Sequence, residues 1–164
     1  MKKTINILSA ATLLLLTLGN AQAALVNYTI TGEVLFGDES APNIFGLTAG
    51  DTITAFGTFD DSVLTGDAGT VLFDTTSGNT MSISVGTANY TASDDIDYAS
   101  GGPSITFTSL TSISDFDFYA ADETFNSNFT SFDDFDLMFG DWTIVEVTPV
   151  PVPAAVWLFG SGLI

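Results

Sequence analysis

From Val26 to Phe36 apolar and polar residues alternate with a period of two, and that period calls for a β-strand. Val26, Tyr28, Ile30, Val34 and Phe36 fall on one face, while Asn27, Thr29, Thr31 and Glu33 fall on the other. A helix would scatter both sets around its axis. The pattern recurs where Met81, Ile83 and Val85 alternate with Ser82 and Ser84, and where Phe116 and Phe118 alternate with Asp115 and Asp117. Strands are predicted over 26–36, 52–59, 70–73, 81–85, 104–109, 113–119, 134–139 and 142–147. Turn residues punctuate them: Ala49-Gly50-Asp51, Thr65-Gly66-Asp67, Ser77-Gly78-Asn79 and Gly101-Gly102-Pro103. Short strands at this spacing predict one all-β domain over 24–147, an antiparallel β-sandwich of jelly-roll-like type. The chain's 14 Phe residues supply its filling. Outward Asp side chains are expected to keep the edge strands from pairing with other chains.

Charge narrows what such a domain does. The 20 acidic residues face only two basic ones, Lys2 and Lys3, and there is neither His nor Cys. Phosphate neutralisation by Lys or Arg is excluded, and nucleic acid with it. Attachment to anionic lipid by a basic patch is excluded for the same reason. A Cys-free domain has no disulfides and must hold together by burial. Thiol catalysis, Cys-based zinc sites and Ser/His/Asp or Ser/Lys arrangements are also ruled out.

Carboxylates and hydroxyls remain. Two-carboxylate glycoside hydrolysis needs a facing acid pair. Glutamates are few (Glu33, Glu39, Glu123, Glu146), Asp115 and Asp117 fall on a solvent face, and no basic side chain orients a substrate. The domain is therefore read as non-enzymatic, with no catalytic residue. No cofactor and no metal ligand is assigned; calcium, which takes only oxygen ligands, is the ion the composition suits. Its candidate clusters are Asp94-Asp95-Ile96-Asp97, in an expected loop, and Asp133-Asp134-Phe135-Asp136, against the simpler reading of solvated charge. The first lacks the full ligand spacing of an EF-hand. Three Asn-x-Thr triplets, at Asn27, Asn89 and Asn128, are read as chance matches to a glycosylation sequon.

The N-terminus follows the grammar of a secretory signal peptide. Met1-Lys2-Lys3 is positive, residues 5–18 are apolar, and Ala21-Gln22-Ala23 supplies the small residues that signal peptidase reads. Residues 1–23 are expected to form a signal helix, cleaved after Ala23.

After residue 147 the composition shifts. Pro149, Pro151 and Pro153 alternate with valines, and an apolar run follows from Ala154 to Ile164. Residues 148–164 are read as a Pro-rich motif leading into a transmembrane helix. As a helix the apolar run reaches about 16 Å, roughly half of a hydrocarbon core. The stretch Val150-Pro151-Val152-Pro153-Ala154-Ala155-Val156-Trp157-Leu158-Phe159-Gly160 resembles the PEP-CTERM sorting signal in its VPLPA-type variant. Val152 stands where the parent motif has Glu. The resemblance makes Val150, Pro151, Val152, Pro153 and Ala154 the sorting motif. It implies an inner-membrane exosortase as partner, transient membrane association, and release to the exterior of a Gram-negative cell that makes exopolysaccharide. It also implies that the rest of the span and an Arg-rich tail lie beyond Ile164.

These observations predict a secreted or surface-exposed structural or adhesive protein of the extracellular matrix. The alternative is a lectin-like module that binds extracellular polysaccharide, with or without calcium. Its candidate aromatic platforms are Tyr90, Tyr98, Tyr119 and Trp142.

Overall fold

A computed structural model describes residues 25–37, 43–134 and 138–150. They form ten strands: β1 (Leu25–Gly37), β2 (Thr52–Asp60), β3 (Gly69–Leu72), β4 (Thr80–Val85), β5 (Ala88–Thr91), β6 (Ser104–Ser109), β7 (Ser112–Tyr119), β8 (Asn126–Asn128), β9 (Ser131–Asp133) and β10 (Met138–Pro149). The helices among the described residues are single 3₁₀ turns at Asp61–Val63 and Ala92–Asp94. The chain is all-β, as its period of two requires.

Every pairing is antiparallel, and the strands make one sheet in the order β3-β6-β7-β8-β9-β10-β1-β2-β4-β5. The first and last strands of the domain, β10 and β1, lie together at its centre. Their register runs from Val26 opposite Pro149 to Gly37 opposite Met138. Along β1 the expected alternation holds, with Val26, Tyr28, Ile30 and Val34 buried. Past Val34 the ladder shifts at a bulge, and Phe36 emerges exposed opposite Phe139.

The sheet curls until its own inner face encloses the core. Phe59 of β2 reaches Phe107 of β6 with ring centroids 5.2 Å apart, although several strands separate them in the sheet. Tyr28 meets Phe73 at 5.6 Å, and Tyr90 of β5 meets Phe118 of β7 at 5.8 Å. Asn79 ties the rims together: its Nδ2 donates to the Leu72 carbonyl at 2.7 Å and its Oδ1 accepts from Asp60 N at 3.1 Å.

Aromatic filling needs room, and glycines make it. A Cβ at Gly57 would run into the Thr80 carbonyl, and Tyr28, its cross-strand partner, packs against the bare backbone. At Gly140 a Cβ would strike the Glu33 carbonyl and the Phe132 ring. Large rings over cross-strand glycines are a known way to fill a curved sheet.

Three differences from the expected elements have physical reasons. The strands β5, β8 and β9 fall outside the predicted ones, because each offers a single core-facing residue between polar or exposed neighbours. The predicted break between 134–139 and 142–147 is closed: β10 runs unbroken from Met138 through Gly140, whose bare backbone clears Phe132 instead of ending a strand. Residues 135–137 lie outside the described set. Finally, the edges are β3 and β5, neither of which contains an Asp. Both are four residues long, so brevity and not outward charge limits their exposed ladders.

Candidate functional site

Many of the carboxylates are turned onto the backbone. Asp51 Oδ2 accepts from Thr48 N at 2.8 Å, and Asp74 Oδ1 accepts from Thr76 and Ser77 N at 2.9 and 2.8 Å. Asp115 Oδ1 takes Phe129 N at 2.8 Å, and Asp134 Oδ1 takes Met138 N at 2.7 Å. In a domain without Lys or Arg, amides and hydroxyls are the donors on offer. Much of the acidity therefore shapes loops.

Asp95 is the deepest of these clasps, only 6% exposed. Its Oδ1 accepts from Asp97 N at 2.7 Å and its Oδ2 from Tyr119 N at 2.8 Å. Ile96 N donates to the Tyr119 carbonyl and Ala121 N to that of Asp94, so the turn after β5 is clipped to the end of β7. Burial pushes the Asp95 pKa up, against the pull of the two amides, and the Asp97 carboxylate pushes it further. On β7, Asp117 is raised by partial desolvation and by Asp115, Asp95 and Asp97.

Of the two candidate calcium clusters, the first is thus engaged internally: Asp94 Oδ2 caps its 3₁₀ turn by accepting from Thr91 N at 2.7 Å. In the second, Asp133 ends β9, Asp134 holds Met138 N, and Phe135 and Asp136 lie outside the described residues. Among the described residues, no group of three carboxylates is placed to hold a metal ion. Of the glutamates, Glu33 on β1 stands directly opposite Asp141 on β10, on the sheet's outer face. Glu146 stands opposite Thr29, Glu123 occupies a turn at φ 59°, and Glu39 falls outside the described residues.

The four aromatic candidates do not form a platform. Tyr90 and Trp142 are each 6% exposed. Tyr90 stacks on Phe125 at 5.7 Å, and its hydroxyl shares a 2.7 Å hydrogen bond with Thr124 Oγ1. Trp142 stacks on Phe116 at 4.8 Å. Tyr98 and Tyr119 are half-buried, Tyr98 against the core.

An aromatic ring that sequence reading passed over stands in the open instead. Phe56 of β2 is 45% exposed on the outer face of the sheet. Thr29 of β1 and Ser82 of β4 are its direct cross-strand partners. Around it a shallow depression of about 310 Å³ is bordered by Asn27, Thr29, Thr58, Thr80 and Ser82. The signal was present in the alternation: Ile53, Ala55 and Phe59 point inward, which leaves Phe56 with Thr54 and Thr58.

At the domain's end, Val150 N donates to the Leu25 carbonyl at 3.1 Å, so the start of β1 and the end of β10 lie side by side. Pro151, Val152, Pro153 and Ala154 of the sorting motif lie outside the described residues, as do Ala21 and Ala23 of the cleavage site. Among the described residues no helix is long and apolar enough to cross a membrane. Comparison with protein-family models, with curated proteins and with solved structures finds no match to this chain.

Proposed function

We propose that the chain is a secreted, surface-delivered structural or adhesive protein of the extracellular matrix, exported by its leader and sorted by an exosortase through Val150-Pro151-Val152-Pro153-Ala154. It works without catalysis, as an acidic β-sandwich of jelly-roll-like type. In this reading β10-β1-β2-β4-β5 is one layer and β3-β6-β7 the other, and the Phe59–Phe107 and Tyr28–Phe73 contacts across the interior support it.

The observation that carries the proposal is the adjacency of the start of β1 and the end of β10. With Val26 opposite Pro149 and Val150 bonded to Leu25, the leader and the sorting segment attach at one pole of the body. A body hung from a membrane by either segment therefore points its β1–β2 and β4–β5 connections away from the bilayer. Its 20 carboxylates keep it soluble and apart from other acidic surfaces.

Fractionation of a Gram-negative host with an exosortase tests this. The full-length protein is expected in the surface or medium fraction, and Pro151→Ala/Pro153→Ala in the inner membrane. Wild-type protein retained in the cytoplasm, or export indifferent to both prolines, would sink the proposal.

A further inference from the structure

We infer that the outer face of β10-β1-β2-β4-β5 binds an uncharged polysaccharide chain laid across the strands over Phe56. The inference deepens the matrix reading, on which it rests for where the polymer is met, but the site itself is argued from geometry.

One ladder row crosses the whole face. Glu146 of β10 is opposite Thr29 of β1, Thr29 opposite Phe56, Phe56 opposite Ser82 of β4, and Ser82 opposite Thr91 of β5. Neighbouring strands lie about 4.8 Å apart, so the row extends for roughly 19 Å. That suits a few linked sugar rings better than a single small molecule, which needs a pocket able to bury most of its surface. The depression around Phe56 is open and shallow.

The chemistry of the row fits a sugar. A pyranose presents a C–H face and a rim of hydroxyls that both donate and accept. An exposed ring takes the C–H face, and Ser and Thr hydroxyls match the rim in both senses. Thr is stiff at χ1 on a strand, so little freedom is lost on binding. The hydroxyls beside the row are already paired: Thr58 Oγ1 with Thr80 Oγ1 at 2.9 Å, and Ser84 Oγ with Asn89 Oδ1 at 2.8 Å. Within the row Thr91 Oγ1 is engaged, donating to Asp94 Oδ2 at 2.8 Å, whereas the hydroxyls of Thr29 and Ser82 have no protein partner among the described residues.

Charge selects the polymer. Both basic residues lie in the leader, and 20 carboxylates repel any polyanion. Glu146, at the end of the row, is an acceptor suited to neutral hydroxyls. The other exposed phenylalanines among the described residues are placed differently: Phe36 and Phe139 stack on each other at 5.9 Å, and Phe129 stands in the β8–β9 turn.

Affinity electrophoresis of the full-length protein through gels of soluble β-glucan, α-glucan and galactomannan, with alginate as the acidic counterpart, tests the inference. At least one neutral polymer should retard the protein, and alginate should not. Phe56→Ala should weaken retardation about tenfold. Ser82→Val should weaken it about threefold, Phe56→Trp should preserve it, and Phe129→Ala should leave it unchanged. Circular dichroism and melting midpoints show that the variants are folded. Retardation by none of the neutral polymers, equal retardation by alginate, or Phe56→Ala behaving as wild type overturns the inference. A protein that reaches the surface yet binds no neutral polymer overturns this inference alone; one that binds but is never exported overturns the delivery reading alone.

Discussion

The indole Nε1 of Trp142 donates to Ser127 Oγ at 2.9 Å, and Ser127 in turn donates to the Phe116 carbonyl at 2.7 Å. Ser127 is fully buried, and Trp142 also stacks on Phe116. One hydroxyl thus joins β8, β7 and β10 where the sheet turns from one half to the other. Without it the indole N–H would be a buried donor with nothing to bond.

Ser127→Ala should therefore cost about 1–3 kcal/mol, the usual penalty for orphaning a buried polar group. Ser131→Ala gives up only an exposed hydrogen bond to Asp141 and should cost less than about 0.5 kcal/mol. Urea unfolding followed by tryptophan fluorescence compares them. Equal midpoints would mean that the Trp142 contact contributes nothing.

Gly57 and Gly78 offer a second contrast. A Cβ at Gly57 has to displace the Thr80 backbone, which β2–β4 pairing holds in place. At Gly78 the space is open and only the positive φ of 71° opposes a side chain. Gly57→Ala should cost about 3 kcal/mol or more, and Gly78→Ala roughly 1–2 kcal/mol. If thermal melts place the two together, steric closure at Gly57 is not what its glycine serves.

Period-two reading located seven of the ten strands, six of them by a core-facing row of two or more apolar residues and β3 by Val71 with Phe73 just beyond its end. It missed Asn126–Asn128, since nothing in Asn-Ser-Asn announces that its serine is buried beneath a tryptophan. The predicted break before 142 falls at Gly140, and a glycine that ends a strand and one that clears space for Phe132 look alike in one dimension. The aromatic candidates failed in another way. Tyr90 sits at the core-facing step of a four-residue strand, whereas Phe56 looked like core by residue type and was outward by phase. The acidic loops were legible as acidic; that Asp95 would spend both oxygens on amides of two separate segments was not.

Glu33 and Asp141 face each other across β1 and β10 on the outer face. Like charges directly opposed on a sheet destabilise it. Glu33→Lys should raise stability by about 0.5–1 kcal/mol at low salt, and the gain should shrink as ionic strength rises. Chemical denaturation at low and high sodium chloride measures both effects. A loss of stability at low salt would show that Glu33 makes a favourable contact that outweighs the repulsion.

The pH profile should have its maximum on the acid side of neutrality. Asp95 and Asp117 are raised above the ordinary aspartate value of 3.8, first by desolvation. In the window between 3.8 and those raised values the folded state binds more protons than the unfolded one, so stability grows as pH falls. Relief of repulsion among 20 carboxylates acts in the same direction. Asp60 and Asp74 are lowered, Asp60 first by the Ser62 hydroxyl and Asp74 first by the Thr76 amide. Their contribution is present above 3.8 and is lost as pH falls through their depressed values. Melting midpoints should rise from pH 7 toward the carboxylate range and drop below 3.8. Asp95→Asn, which carries no charge at any of these pH values, should flatten the rise while leaving the drop. A midpoint that declines steadily from pH 7 downward, or an Asp95→Asn profile parallel to wild type, would mean that the Asp95 clasp carries no electrostatic cost.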